Sequence, residues 1–386
     1  MLHIPYSCQN IDDSDIDAVI AVLRSDYLTQ GPAVRSFENS FAERHKVAHA
    51  VAVANATAGL HIACLALDVG PSSRVWTSPN SFLASANCAL YCGAGIDFVD
   101  IDPSTRNMSV HALTQKLEVA ARRNELPHVV IPVHFAGLPC DLSEIRALAD
   151  RYRFRILEDA SHATGASYRE QPIGSAFADV SVFSFHAVKV VTTAEGGMVT
   201  TQDEVLAKQL RLLRSHGMTR NQDDLQQATE GPWVYEQQML GFNYRLTDLQ
   251  AALGESQLRR LDAMQRDRIA LANRYDELLA DLPLLLPARL PDRTSAWHLY
   301  AIEIDDSRTD CKRAAVFAAM RAAQVGVNVH YIPIHTQPYY AGLGFKQGDY
   351  PAAERYYGRA MSLPLFPAMD HQQQDWVVTT LRAALA

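Results

Sequence analysis

The stretch AHAVAVANATAGLHIACLAL (48–67) reads as a short apolar strand, a polar turn and an apolar helix. The same alternation runs on: RVWTSP then SFLASANCAL, GIDFVDI then VHALTQKLEVAARR, HVVIPVHF then DLSEIRALADRYR, and then FRILEDA. Strands that alternate with crossover helices build a mostly parallel sheet covered by helices on both faces, an α/β architecture. In such sheets ligands lie beyond the carboxyl ends of the strands, so the residues just after each strand are the ones to inspect.

VSVFSFH (180–186) and GGMVTTQ (196–202) read as two more strands joined by a loop, the second leading into the helix DEVLAKQLRLLRSH. Residues 218–240 lack periodicity and read as a long excursion, and 246 to about 282 carries one long helical pattern. This places a large domain at 1–245, with an N-terminal arm, and a small C-terminal α/β domain at 246–386 entered by the long helix. The small domain is expected to hold a strand at HLYAIEID, a helix at CKRAAVFAAMRAAQ, a strand at VNVHYI and two helical segments at the end.

A chain of 386 residues is too long for one ordinary core, and 48% apolar with 20% charged residues is ordinary globular usage. A net charge of -8, from 35 Lys+Arg against 43 Asp+Glu, argues against nucleic acid as a partner. Cys8, Cys64, Cys88, Cys92, Cys140 and Cys311 form no CxxC pair. They are read as reduced core residues, and no metal is expected. The segment MLHIPYSCQNIDD has no positive cluster ahead of an apolar stretch, and no apolar run approaches the ~18 residues of a membrane span, so a cytoplasmic protein without a membrane partner is expected.

Four segments fall where the fold wants ligand contacts. ANAT (54–57) ends a strand and opens a helix, with Thr57 able to cap it and free N–H groups that suit a phosphate. LEDASHATGA (157–166) puts Asp159 at the end of an apolar strand, where a carboxylate needs a cationic or hydrogen-bonding partner; a protonated pyridine nitrogen is one. In FSFHAVKVVTTAEGG (183–197), Lys189 stands in an apolar loop where desolvation favours the free amine that forms Schiff bases. Ser184 can add a hydroxyl to the phosphate, and Gly196 and Gly197 allow close backbone approach. GFNYRLTDLQAA (241–252) opens the long helix, and Asn243 has the donors to complete a phosphate cup. Taken singly, the first reads as a plain helix cap and the last as a plain helix start.

From LTQGP (28–32) through NAT, PNSF, EDASHATGA, FSFHAVK, EGGMV, SHGM and GFNYRL to VHYIPIH (329–335), the ordered set resembles the sugar aminotransferases of the DegT/DnrJ/EryC1/StrS family. That family has the type I fold of pyridoxal-phosphate (PLP) dependent transferases, aspartate-aminotransferase-like. SFHAVK with TTAEGG, and VNVHYIPIHTQPYY, are similar to the branch of pseudaminic acid biosynthesis. The resemblance implies transfer of an amino group from L-glutamate to C4 of a UDP-4-keto-6-deoxy-N-acetyl-hexosamine, through pyridoxal 5'-phosphate and its pyridoxamine form. It implies Lys189 as Schiff-base lysine and acid/base, Asp159 on the pyridine nitrogen, His162 near the ring oxygen and Phe82 stacked on the ring. Ala56, Thr57 and Ser184 would hold the phosphate, with Asn243 arriving from the second subunit of a homodimer. Tyr6, the stretch Asp26, Tyr27, Leu28 and Thr29, and the stretch His330, Tyr331, Ile332, Pro333 and Ile334 match segments that approach the nucleotide sugar.

Two positions depart from the family pattern. Ala56 stands where many relatives have Gly, which tightens the phosphate turn, and Val190 stands where Pro often follows the lysine. The alternatives are an aminotransferase for another nucleotide-linked keto-sugar and an inactive cofactor-binding regulator. A pyridoxamine-dependent dehydratase is disfavoured by Lys189, because those enzymes carry His there.

Overall fold

The computed structural model describes residues 3–226 and 231–386. Residues 1–2 of the segment read for a leader, and 227–230 of the excursion 218–240, lie outside the described residues.

Seven strands form the main sheet: β1 His49–Val53, β2 Arg74–Thr77, β3 Gly95–Phe98, β4 Val129–Ile131, β5 Arg155–Asp159, β6 Val180–Ser184 and β7 Gly197–Thr201. Their spatial order is β1-β7-β6-β5-β4-β2-β3. All neighbouring pairs from β6 across to β3 are parallel. Only β7 is reversed, antiparallel to both β1 and β6. Successive strand residues point to opposite faces, and here both faces are cores. Ala50 and Ala52 of β1 pack with Phe37 and Phe41, whereas Val51 and Val53 pack with Leu60 and Ile62. Ile156 and Leu157 of β5 divide in the same way. This two-sided burial is why the strands read as continuous apolar runs.

The helices of this part are α1 Asp13–Leu23, α2 Pro32–His45, α3 Ala56–Ala66, α4 Ala84–Tyr91, α5 Val110–Arg123, α6 Leu142–Tyr152, α7 Glu204–Arg214 and α8 Asp248–Arg259. Side chains of α3, α4 and α7 fill the core on one face of the sheet, and those of α2, α5, α6 and α8 fill the other. In α7 the buried Leu206, Leu210 and Leu213 recur at helical spacing, and the Asp203 carboxylate caps the helix by accepting from Val205 N–H at 2.7 Å and Leu206 N–H at 3.2 Å.

A second core is built from α9 Leu261–Leu279, the antiparallel strands Leu284–Leu285, Tyr300–Ile304 and Ala360–Leu363, and the helices Arg313–Ala322 and His371–Ala384. Tyr275, Tyr300, Met320, Val377 and Leu381 are central to it, and Ile4 joins them through a bridge to Val325.

Two expectations change. The helical pattern from 246 is two helices, broken at Arg260, where the side chain turns to Asp12 and Asp15 ahead of and inside α1. The stretch VNVHYI is not a strand. It makes only isolated bridges, such as Asn328 with Ser362, because it leaves the ladder to line the cleft described next. No helix among the described residues is long and apolar enough to cross a membrane.

Candidate active site

Main-sheet strands deliver their following residues to one place. Asn55–Thr57 follow β1, Ser81 and Phe82 follow β2, Val133 follows β4, Ser161 and His162 follow β5, and His186 and Lys189 follow β6. With Tyr6, His298, His330 and Tyr331 from the second core's side they line a cleft of about 870 Å³. That is room for a cofactor and a substrate together.

At the amino end of α3 the cap is Asn55 rather than Thr57: the Asn55 side chain accepts from Ala58 N–H at 2.8 Å. Asn can reach the third helical N–H from the position before the helix, whereas Thr57 is already inside it. Ala56 and Thr57 therefore present first-turn N–H groups at the cleft wall, where the helix dipole favours an anion. Ser184 borders the same wall. A Cβ on Gly197 would stand 2.9 Å from Ala56 N and from Phe183 O, so glycine is what lets β7 lie beside the turn.

Asp159 is 4% exposed. Its Oδ2 accepts from Ser85 Oγ at 2.5 Å and its Oδ1 from Ser161 N–H at 3.1 Å. Ser81 Oγ lies 2.6 Å from Ser85 Oγ and extends the chain of hydroxyls. Lys189 stands in the same cleft, its amine pushed down from the ordinary 10.5 to about 8 by desolvation, against the opposing pull of the Asp159 carboxylate.

His162 is committed on both sides of its ring. Nδ1 accepts from Ala136 N–H at 3.2 Å, so the neutral ring carries its proton on Nε2, which lies 3.1 Å from Tyr331 Oη. Burial, then the Lys189 charge, holds His162 well below the usual histidine range. Tyr331 Oη accepts from His162 and keeps its own proton to donate, with burial raising its pKa above the usual tyrosine value. His330 is likewise pushed down to about 4 by burial and Lys189, and Nδ1 lies 2.8 Å from Ser362 Oγ. Phe82 is 59% exposed, its ring 6.4 Å from that of Tyr331.

The remaining expected residues are not brought to this cleft within one chain. Asp26, Tyr27, Leu28 and Thr29 are exposed and lie beside the GFNYRL segment, Thr29 bridging Thr247. Asn243 is also exposed and bridges Ser215. Ile332 points outward, Pro333 is buried, and Ile334 packs with Ala86, Phe98 and Tyr340 behind the cleft. Sequence reasoning passed over Ser85, which follows Ser81 by one helical turn, and His298, which looked like the first residue of a plain strand. It also passed over Asp248, whose carboxylate accepts from Gly31 N–H at 2.7 Å and Ala33 N–H at 2.9 Å and so joins the LTQGP turn to α8.

With this geometry in hand, the likeness to known proteins is informative. Residues 9–382 match the DegT/DnrJ/EryC1/StrS aminotransferase family. The spore coat polysaccharide biosynthesis protein SpsC of Bacillus subtilis is 40% identical over 382 residues, 98% of this chain and 96% of SpsC. Helicobacter pylori PseC, an aminotransferase of pseudaminic acid biosynthesis, superposes with a TM-score of 0.90 at 30% identity, covering 100% of this chain and 99% of PseC. Spr1654 of Streptococcus pneumoniae, solved in PLP and PMP forms, superposes in the latter with a TM-score of 0.90 at 28% identity, covering 99% and 98% of the two chains.

Proposed function

From the premise that this chain belongs to the DegT/DnrJ/EryC1/StrS aminotransferase family of PLP-dependent sugar aminotransferases, we propose that it moves the amino group of L-glutamate to C4 of a UDP-linked 4-keto-6-deoxy-N-acetyl-hexosamine, as in pseudaminic acid biosynthesis. The observation that carries the reading is the cleft itself: a desolvated lysine, a buried carboxylate and a helix amino end line one cavity. These residues fit pyridoxal phosphate, because free N–H groups await an anion at one wall and a hydrogen-bonded carboxylate awaits a cation at the floor. When bound, the cofactor supplies the electron sink and carries the amino group between substrates.

The chain's residues supply the rest. Lys189 Nζ, with an amine near neutrality, takes the proton from the donor's α carbon and later delivers one to the sugar carbon. Asp159 provides the fixed negative charge, and Ser85 and Ser161 hold it. Ala56 and Thr57 N–H with Ser184 Oγ would hold the phosphate, and Phe82 would cover the ring. His162 would act through Tyr331: the imidazole fixes the phenol, which keeps its proton to donate to a bound cofactor. In this reading Asn243 and the Asp26–Thr29 stretch complete the cleft of a second copy.

The pseudaminic acid assignment draws on the whole-chain likeness to PseC. The higher identity to SpsC favours a second reading, a keto-sugar of another surface polysaccharide on the same chemistry. The test is an assay of the purified protein with L-glutamate and a panel of UDP- and dTDP-4-keto-6-deoxy sugars, following 2-oxoglutarate release. Turnover confined to the UDP-altrosamine-type ketone upholds the first reading. Turnover on another sugar transfers the assignment to the second, and turnover with other amino acids but not glutamate removes the donor.

A further inference from the structure

His298 is 3% exposed, lines the cleft and lies with its ring centroid 4.4 Å from that of His162. Its Nδ1 is wholly buried without a hydrogen-bond partner, and among the described residues no bond is made by its Nε2. The ring does not need its own nitrogens for support. The Arg268 guanidinium, itself buried, donates to Trp297 O at 3.1 Å on one side, and Leu299 N–H donates to Ala136 O at 3.3 Å on the other. Ala136 N–H holds His162, so the two imidazoles hang from one loop. Buried polar atoms nearly always have partners; Nδ1 is sealed off, and the unbonded Nε2 of a rigidly mounted imidazole that lines the cleft marks the place of a ligand group.

The chemistry of that group is constrained by its surroundings. Burial first, then the neighbouring Lys189 amine, keeps His298 well below the usual histidine range, so at neutral pH it offers one N–H donor and one acceptor. Within one copy the described cleft-lining residues include no arginine; the amine is Lys189, needed for proton transfer, and the carboxylates are Asp159 and Glu195. Every α-amino acid donor carries a carboxylate on its reacting carbon, the carbon that bears the proton Lys189 must reach. We propose that His298 is a positioning residue for the amino donor: its N–H donates to the α-carboxylate and so turns the Cα–H toward Lys189 Nζ. The inference rests on the reading of an α-amino acid as donor.

The half-reaction isolates this contact. Holoenzyme is mixed with L-glutamate without sugar and the loss of the visible cofactor band is followed. His298→Gln should raise the glutamate concentration for half-maximal rate about 10- to 100-fold, the worth of a hydrogen bond to a charged group, and leave KM for the keto-sugar within about twofold of wild type. The binding of glutarate to holoenzyme, measured calorimetrically, should weaken by the same factor. His298→Asn, and the intact cofactor band of both variants, guard against a folding defect. The loss with n-butylamine, which has no carboxylate, is the reference. An equal loss with butylamine and glutamate, or a loss on the keto-sugar, overturns the proposal. Failure of wild type with glutamate sinks the glutamate reading instead, and the comparison then runs on the L-amino acid that does react.

Discussion

At Lys189 two influences oppose each other: burial disfavours the charged amine and Asp159 favours it, and burial wins, leaving the group near 8 rather than 10.5. The free amine therefore gains with pH up to about 8 and is complete above it. The rate of PLP capture by the apoprotein should rise about tenfold per pH unit below that point and level off beyond it, whereas an ordinary lysine would keep the rate rising toward 10. A stopped-flow pH profile checks this. Lys189→Ala should abolish turnover and the visible cofactor band with the far-UV circular dichroism unchanged. Ser85→Ala removes a donor from a buried carboxylate and should lower kcat/KM about 10- to 100-fold, seen in the glutamate assay. That Lys189 and Asp159 would face one cleft was legible in the sequence because each is a charged residue in an apolar run, an expense that asks for a reason. Ser85 and His298 were not, since a serine in a helix and a histidine before a strand carry no such signal until the fold sets them beside the cleft.

Among elements, those with two-sided burial were the readable ones, because both faces of β1, β5 and β6 are buried over nearly their whole length. Signals that depend on where a side chain turns were misread: the cap of α3 belongs to Asn55, the helix from 246 breaks at Arg260, and VNVHYI leaves its sheet. At the junction of β7 and α3, Gly197→Ala would force Cβ to within 2.9 Å of Ala56 N. That displacement falls on the phosphate wall, so PLP affinity, by fluorescence titration of the apoprotein, should weaken about tenfold or more while the unfolding midpoint drops modestly. Asp248→Ala cuts both bonds that tie the amino end of α2 to α8 and should cost about 1–2 kcal/mol in urea unfolding.

For the molecule as a whole, the expected site residues other than Ile332, Pro333 and Ile334 fall into two groups, one lining the cleft and one on the exterior around Asn243 and the Asp26–Thr29 turn. The exterior group carries apolar side chains in the open, with Tyr27 56%, Leu28 48% and Leu240 81% exposed, as a subunit interface would. If Asn243 serves a neighbour's phosphate, Asn243→Asp and Lys189→Ala act on different copies. Mixing the two inactive proteins through an unfolding and refolding cycle should then restore about a quarter of wild-type turnover, because half the dimers are mixed and each mixed dimer has one intact site. No recovery would mean that both act in the same copy. For Asn243 the resemblance named the second copy, but for the Asp26–Thr29 stretch the partition was not legible, because spacing along the chain says nothing of which copy a residue serves. One earlier feature bears on how such an enzyme diverges. His162 is oriented by the amide of Ala136, and the backbone beside His298 is held by the carbonyl of Ala136, which no side-chain change removes, and by the buried Arg268 at the carbonyl of Trp297. The reacting end of the cleft thus hangs largely on backbone groups, whereas the sugar end is lined by side chains such as Tyr6 that can change one at a time. A lineage can retune which sugar it accepts without rebuilding the chemistry.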